Sequence, residues 1–245
     1  MTKRKISMSE NNRSQLKVRI TFARPCLLHN TILIDPTHPW SKEVKKLQAQ
    51  KKKLKKQDTS EMEAQILKLQ YIACAYWDDD LGFYMPTENI EKSIREGAAK
   101  NKLGKQVEAG LEVIEDIVPF KGLKNPLPGK PKTPSADLSD LEGVKAIPTS
   151  EKLENIYDQN YLLDGGYVLK RPVRIPPRTG ARVMFHRPMI PPDAYLEFTV
   201  EFDKTVITET DLKKAIEDAG KFVGIGVWRP KFGRFLVTFV KDFSK

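Results

Sequence analysis

The sequence has few of the residues and patterns that mark secreted proteins, membrane proteins and metalloproteins. Only two cysteines and three histidines occur among 245 residues. Cys26 and Cys74 have no CxxC spacing and no histidine pair nearby, so neither a zinc site nor a disulfide framework is expected. No apolar run reaches the roughly 20 residues of a membrane-spanning helix, and no apolar segment follows the basic N-terminus as in a secretory signal. We therefore expect a cytoplasmic protein with reduced thiols, no cofactor and no membrane contact.

Catalytic motifs are equally scarce. The sequence contains no HExxH, no GxSxG and no glycine-rich loop that ends in GKS or GKT. A catalytic hypothesis can use Asp35 and His29, which lie in the loop after the first predicted strand, because a carboxylate and an imidazole can exchange protons with a substrate. The alternative is that Asp35 forms an Asp-Pro turn. A non-catalytic protein is the favoured interpretation.

Positive charge is what the sequence has in excess. Lysine and arginine outnumber aspartate and glutamate by 42 to 32, which gives a net charge of +10. Residues 42–56 hold eight lysines and one glutamate, and residues 166–191 hold six basic residues and no acidic one. Such clusters favour polyanions because binding releases condensed counterions. The lysine run is also typical of a solvated helix face.

Hydrophobic periodicity predicts the order of the elements. Strands are expected where apolar and polar residues alternate, over 16–22, 194–202 and the final RFLVTFV. One helix is expected to begin at a Thr87 cap, and another to run from a Thr208 capping box to a stop at Gly220. This order predicts an α+β protein with a ferredoxin-like (RNA-recognition-type) βαββαβ core.

The remaining segments are interpreted as additions to that core. Residues 1–14 are expected to form a disordered tail, and residues 15–245 a single domain. The predicted insertions are a lysine-rich helical hairpin at 41–77, a loop or linker at 118–160 and a basic β-hairpin arm at 166–190.

The segment GIGVWRPKFGRF at 224–235 is the most informative motif. Glycines allow positive φ and close backbone approach to a ligand, cations can meet phosphates, and aromatic rings can stack on bases. The alternative is a glycine-rich turn between a helix and a strand. The candidate nucleic-acid-binding residues here are Gly224, Gly226, Trp228, Arg229, Lys231, Phe232, Gly233 and Arg234.

Further candidates for contact with a phosphate backbone lie outside this segment. Arginines spaced every three or four residues along the arm can follow a single strand without reading its sequence. Three lysines follow the first core helix. These candidates are Lys170, Arg171, Arg174, Arg178, Arg182, Lys100, Lys102 and Lys105.

Three segments together resemble the RAMP superfamily, in particular the backbone subunits of CRISPR effector complexes. The stretch FYMPTENIEKSIR at 83–95 is similar to the strand, turn and helix of that family, with Thr87, Glu88 and Asn89 in place of its glycine and serines. The 224–235 segment is similar to its C-terminal glycine-rich loop, and the first strand occupies the matching place. Over more of its length the chain resembles a group of bacteriophage proteins that share LLHN, KxKLGKQ and GxWRPxFGRF.

The resemblance implies a ferredoxin-like protein that packs side by side along single-stranded RNA in the cytoplasm of a bacterial host cell. The leading hypothesis is therefore a protein that binds single-stranded RNA or DNA, with RNA favoured, and oligomerises or forms filaments on it. A RAMP-type ribonuclease that uses Asp35 or His29 is one alternative, since some such subunits cleave RNA with an aspartate after the first strand. A phage protein that mimics or binds a host CRISPR effector subunit is another.

Overall fold

The fold is described from a computed structural model, which defines residues 12–54, 58–123, 150–161, 166–174 and 182–243. The side chains at positions 161, 173, 174, 182 and 183 are not described. Nearly all of the predicted tail, the middle of the predicted 118–160 loop and Arg178 lie outside these residues.

The central sheet of the fold consists of strands β1 (Arg13–Phe22), β5 (Leu111–Val113), β9 (Tyr195–Asp203) and β10 (Phe235–Val240). All four are antiparallel to their neighbours, and they lie in the order β10-β1-β9-β5. On its two long strands every second side chain is buried, as the alternation in the sequence predicts. Val18 lies opposite Phe198 and Phe239, and Ile20 lies opposite Leu196.

Two helices, α3 (Thr87–Ala99) and α6 (Glu209–Asp218), contribute their apolar faces to the same buried cluster as the sheet. They pack against each other so closely that a Cβ atom on Gly97 would lie 2.5 Å from the carbonyl oxygen of Ala215. The predicted cap of α6 is present, because the Thr208 side chain accepts a hydrogen bond from the Asp211 backbone N–H.

Two predicted helix ends differ from the structure. Thr87 is the first residue of α3 and does not cap it; its hydroxyl donates to the carbonyl oxygens of Glu115 and Asp116, which ties the helix start to the strand connection. The stop is at Gly224, with φ of 82°, because a π-helical turn over Ala219–Val223 extends α6. Gly220 is needed for another reason, since a Cβ there would collide with β10.

The lysine-rich segment forms two helices, α1 (Pro39–Lys53) and α2 (Ser60–Cys74), as the sequence predicts. A small cluster of Val44, Leu47 and Ile66 joins the two helices. At its C-terminal end α2 contributes Tyr71 and Ile72 to the main core. Four lysines of α1, Lys42, Lys45, Lys52 and Lys53, are exposed, as expected of a solvated face, whereas Lys51 pairs with Glu63 of α2.

Two three-stranded sheets complete the fold. Their strands are β2 (Cys26–Leu27), β3 (Trp77–Asp78), β4 (Gly82–Pro86), β6 (Ile117–Pro119), β7 (Val168–Arg174) and β8 (Arg182–Ile190). One sheet has the order β2-β8-β7 and contains the predicted basic hairpin, and the other has the order β3-β4-β6. All strand pairs in both sheets are antiparallel.

The prediction of a loop over 118–160 is partly wrong, because Glu151–Tyr161 form helix α5. Leu153, Tyr157 and Asn160 are buried at a spacing of four and three residues, so one face of this helix packs on the core. A further short helix, α4 (Gly104–Gly110), follows α3. The described residues thus form a mixed α+β fold, and none of their helices has the length and apolar character needed to cross a membrane.

Candidate functional site

The glycine-rich segment, residues 224–235, forms a loop between the π-helical turn and β10. Gly224, Gly226 and Gly233 have φ of 82°, 87° and 74°, a region that favours glycine. A Cβ on Gly226 would collide with the Leu27 carbonyl, and one on Gly233 with the Ile225 carbonyl. The close approach that these glycines allow is therefore to the chain's own backbone, which differs from the expected approach of a phosphate.

Backbone hydrogen bonds fix this loop against β2 and against itself. The N–H of Val227 donates to the Leu27 carbonyl at 3.1 Å, and the N–H of Gly233 donates to the Pro25 carbonyl at 2.8 Å. Within the loop, the Ile225 N–H donates to the Gly233 carbonyl at 2.9 Å. The loop is consequently a rigid platform for the side chains at 228–231.

A cleft of about 570 Å³ opens beside this platform, within the range of small-molecule sites. Its walls come from His29, two residues after β2, from helix α3, from strand β8, and from the loop with its preceding π-helical turn. The lining residues are His29, Glu96, Arg187, Phe222, Val223, Gly226, Val227, Trp228, Arg229 and Pro230.

Arg187 brings a buried positive charge to this cleft. The residue is 9% exposed, and its guanidinium lies 4.8 Å from the ring centroid of Phe185 and 5.1 Å from that of Trp228. Its Nε and Nη1 atoms are buried and have no hydrogen-bond partner among the described residues. Burial lowers the pKa of Arg187, but a guanidinium stays protonated in proteins. Such an uncompensated charge is costly and requires an explanation.

The wall formed by the loop already contains an ion pair. Arg229 Nη1 lies 3.1 Å from Glu96 Oε2 and also donates to the Gly224 carbonyl at 3.3 Å. Phe232 is buried beneath Arg171, whose guanidinium lies 5.7 Å from the ring centroid. Two of the predicted contact residues, Arg229 and Phe232, are thus engaged within the protein. Trp228 remains half-buried at the cleft.

The rim of the cleft is basic and aromatic. Phe222 is 40% exposed, with Lys100 Nζ at 3.7 Å and Lys221 Nζ at 5.1 Å from its ring centroid. The fold thus brings Lys100 next to the glycine-rich segment. Lys231 and Arg234 are exposed on the loop itself.

The other predicted basic residues are spread over two further places. Lys102 is exposed between α3 and α4, and Lys105 is exposed in the first turn of α4. In the hairpin, Lys170 is half-buried and Arg171 is exposed, while Arg174 and Arg182 face each other in the strand register. The side chains of these last two lie outside the described residues, as does all of Arg178, so the role of the arm stays a prediction.

The two candidate catalytic residues are not brought together at the cleft. Asp35 is exposed, and its carboxylate accepts hydrogen bonds from the backbone N–H and the hydroxyl of Thr37 at 2.8 and 2.7 Å. These hydrogen bonds lower the pKa of Asp35. They are also the bonds expected if Asp35 forms a turn, which is the alternative interpretation given above. His29 lines the cleft, but Asp35 does not.

His29 instead contacts a cysteine, with 3.3 Å between its Nδ1 and Cys74 Sγ. Burial raises the pKa of the Cys74 thiol to about 12, although the Arg187 charge acts in the opposite direction. Burial, assisted by Arg187, lowers the pKa of His29. The pair is therefore a neutral thiol beside a neutral imidazole, unlike the thiolate of a reactive cysteine.

Three residues of the site were not singled out by the sequence, namely Glu96, Lys221 and Phe222, and Arg187 was counted only among the six basic residues of 166–191. No protein-family model and no curated protein matches this chain. Among the described residues, no three histidine, cysteine, aspartate or glutamate side chains are grouped so as to hold a metal ion. The cleft and its rim are therefore the features that indicate a function.

Proposed function

We propose that this chain binds single-stranded nucleic acid, RNA in preference to DNA, and oligomerises along the strand as a non-catalytic subunit. The observation that carries the proposal is the cleft, which is lined by Arg187, without a hydrogen-bond partner at Nε and Nη1 among the described residues, and by Phe222, whose ring lies beside Lys100 and Lys221. Proteins that coat single strands combine cations that neutralise phosphates with aromatic rings that stack on bases. The preference for RNA comes from the resemblance to the RAMP superfamily.

The order of the core elements supports a ferredoxin-like core for this protein. The chain forms α3 between β1 and β5, and α6 between β9 and β10. The four strands and two helices therefore follow one another as strand, helix, strand, strand, helix and strand, which is the order of that fold. The helices α1 and α2 and the sheet β2-β8-β7 are additions to it, and the last of these supplies Arg187.

The solvent face of the central sheet is a weaker candidate for base stacking than the cleft. RNA-recognition modules stack bases on aromatic residues of this face. Here Arg19 and Lys121 both pair with the nearly buried carboxylate of Glu197, at 2.5 and 2.7 Å. The Arg19 guanidinium also lies over the Tyr195 ring at 5.3 Å. Because these groups are engaged with one another, the basic rim of the cleft is the favoured contact surface.

Binding is expected to combine general attraction with local contacts. The net charge of +10 draws a polyanion towards the protein. Lys100, Lys221 and the exposed Lys231 can then neutralise successive phosphates, while the rings of Phe222 and Trp228 meet bases. None of these contacts reads a base edge, so little sequence preference is expected.

Titration of fluorescently labelled single-stranded RNA, single-stranded DNA and duplex DNA over a range of salt concentrations tests the proposal. For a single strand, the logarithm of affinity should fall with the logarithm of salt concentration by about 0.7 for each neutralised phosphate. We expect a slope near −2 or steeper, with RNA bound at least as tightly as DNA. A slope near zero would contradict the proposal.

The same mixtures distinguish the alternatives. RNA recovered at full length, with and without Mg²⁺, is the result expected of a strand-coating protein, whereas shortened RNA would favour the ribonuclease alternative. Electron micrographs taken with and without the strand should show assemblies that depend on it. Identical images in both samples would contradict oligomerisation along the strand. The titration would still decide whether the protein binds the strand.

A further inference from the structure

The floor of the cleft holds a charge that no described protein group neutralises. Arg187 is 9% exposed, and both Nε and Nη1 lack a hydrogen-bond partner among the described residues. The carboxylate that lines the cleft, Glu96, is held by Arg229 at 3.1 Å. Because burying an unpaired cation is strongly destabilising, a ligand anion accounts for the presence of an arginine at this position.

The surroundings of Arg187 restrict how an anion can reach it. Phe185 and Trp228 each lie over the guanidinium, at 4.8 and 5.1 Å from their ring centroids. Nε and Nη1 are fully buried, so an anion must reach the guanidinium at its remaining nitrogen, Nη2. A hydrogen bond from Nη2 to a phosphate oxygen is charge-assisted and therefore of the stronger kind, and the anion would neutralise the buried cation.

We infer that the Arg187 cleft binds the terminal phosphate monoester of a strand, an inference that rests on the proposed function. An internal phosphodiester carries chain on both sides, and both would have to enter the cleft for its oxygens to reach a side chain that is 9% exposed. A terminal monoester carries chain on one side only. It also has close to two negative charges at neutral pH, against one for a diester.

The rim gives such a strand a path out of the cleft. Phe222 lines the cleft and is 40% exposed, so it marks the boundary with solvent. Lys100 and Lys221 lie at 3.7 and 5.1 Å from its ring centroid. These lysines can neutralise the second and third phosphates, while the terminal phosphate occupies Arg187. The cleft thus recognises an end, and the rim recognises the backbone that follows it.

Three short RNAs of one sequence test the inference: one with a 5′-phosphate, one with a 3′-phosphate and one with hydroxyl groups at both ends. We expect one of the phosphorylated RNAs to bind the wild-type protein about 10- to 100-fold more tightly than the hydroxyl-ended RNA, which is the range of a hydrogen bond between charged groups. Arg187→Met should bring the three RNAs to about the same affinity, so that this ratio falls to about one.

Arg171→Met is the matched control, since Arg171 is exposed on the same hairpin and does not line the cleft. It should change all three affinities alike and preserve the ratio. Equal affinities of the wild-type protein for the three RNAs would overturn the inference while leaving the proposed function in place. Absence of binding to any of them would overturn the proposed function itself. The wild-type comparison needs no variant, so a folding defect cannot obscure it.

Discussion

Replacing Arg187 with methionine is expected to make the folded protein more stable. Among the described residues, no carboxylate pairs with the guanidinium and no hydrogen-bond partner meets its Nε and Nη1. Burying a cation in this way costs several kcal/mol. Its contacts with the rings of Phe185 and Trp228 return about 0.5–2 kcal/mol each. Methionine fills a similar volume, and its sulfur can contact the same rings. The free energy of unfolding should rise by about 1–3 kcal/mol.

Thermal unfolding followed by circular dichroism measures this difference. A gain of 1–3 kcal/mol corresponds to a melting temperature about 3–9 °C higher for a protein of this size. Arg171→Met is again the control, because an exposed arginine should change stability by no more than about 0.5 kcal/mol. A melting temperature lowered by several degrees in Arg187→Met would mean that the charge stabilises the fold, and the argument for a ligand anion would be lost.

Gly233→Ala is expected to destabilise the protein by about 3–5 kcal/mol. A non-glycine residue at φ of 74° costs about 1–2 kcal/mol, and the new Cβ would collide with the Ile225 carbonyl oxygen. Relief of that collision must break the hydrogen bonds from Gly233 to Pro25 and from Ile225 to Gly233, each worth about 1 kcal/mol.

Urea unfolding of Gly233→Ala beside Gly82→Ala isolates the cost of the collision. Gly82 has a similar φ of 77°, but a Cβ there would lie 3.8 Å from the Trp77 ring, an ordinary contact distance. Gly82→Ala should therefore lose only the backbone cost of about 1–2 kcal/mol. If both variants lost the same free energy of unfolding, the loop would have to relieve the collision at little cost. That result would be expected if the glycines were needed for ligand binding and not for folding.

The sequence predicts best the elements whose pattern is decided locally. β1 and β9 each have one face in the core and one in solvent, so strict alternation marks them. The Thr208 cap of α6 also depends on neighbours only three residues apart. Helix α5 was missed because its apolar face is short, with Leu153, Ile156 and Tyr157 beside the polar Asn160, and because it follows a proline-rich segment that indicates a loop.

The candidate site was only partly predictable because its contacts join distant segments. The loop glycines were identified, but their partners at Pro25 and Leu27 lie about 200 residues away. Arg187 lies in the run 186–190, where every residue is buried. Alternation is lost in a strand covered on both faces, so the sequence does not show that this arginine points inwards. The contact of Lys100 with Phe222 likewise arises only from packing of α3 beside the π-helical turn.

The most direct test of the central claim compares two double variants in their binding to single-stranded RNA over a range of salt concentrations. Lys100→Ala with Lys221→Ala removes the cationic rim, whereas Lys45→Ala with Lys52→Ala removes two exposed lysines of α1, none of whose residues lines the cleft. Both changes remove the same net charge. The rim variant should bind about tenfold or more weakly than the wild type, with a salt slope shallower by about 1.4, while the control keeps the wild-type slope. Equal affinities and slopes in the two variants would contradict the assignment of strand binding to this cleft.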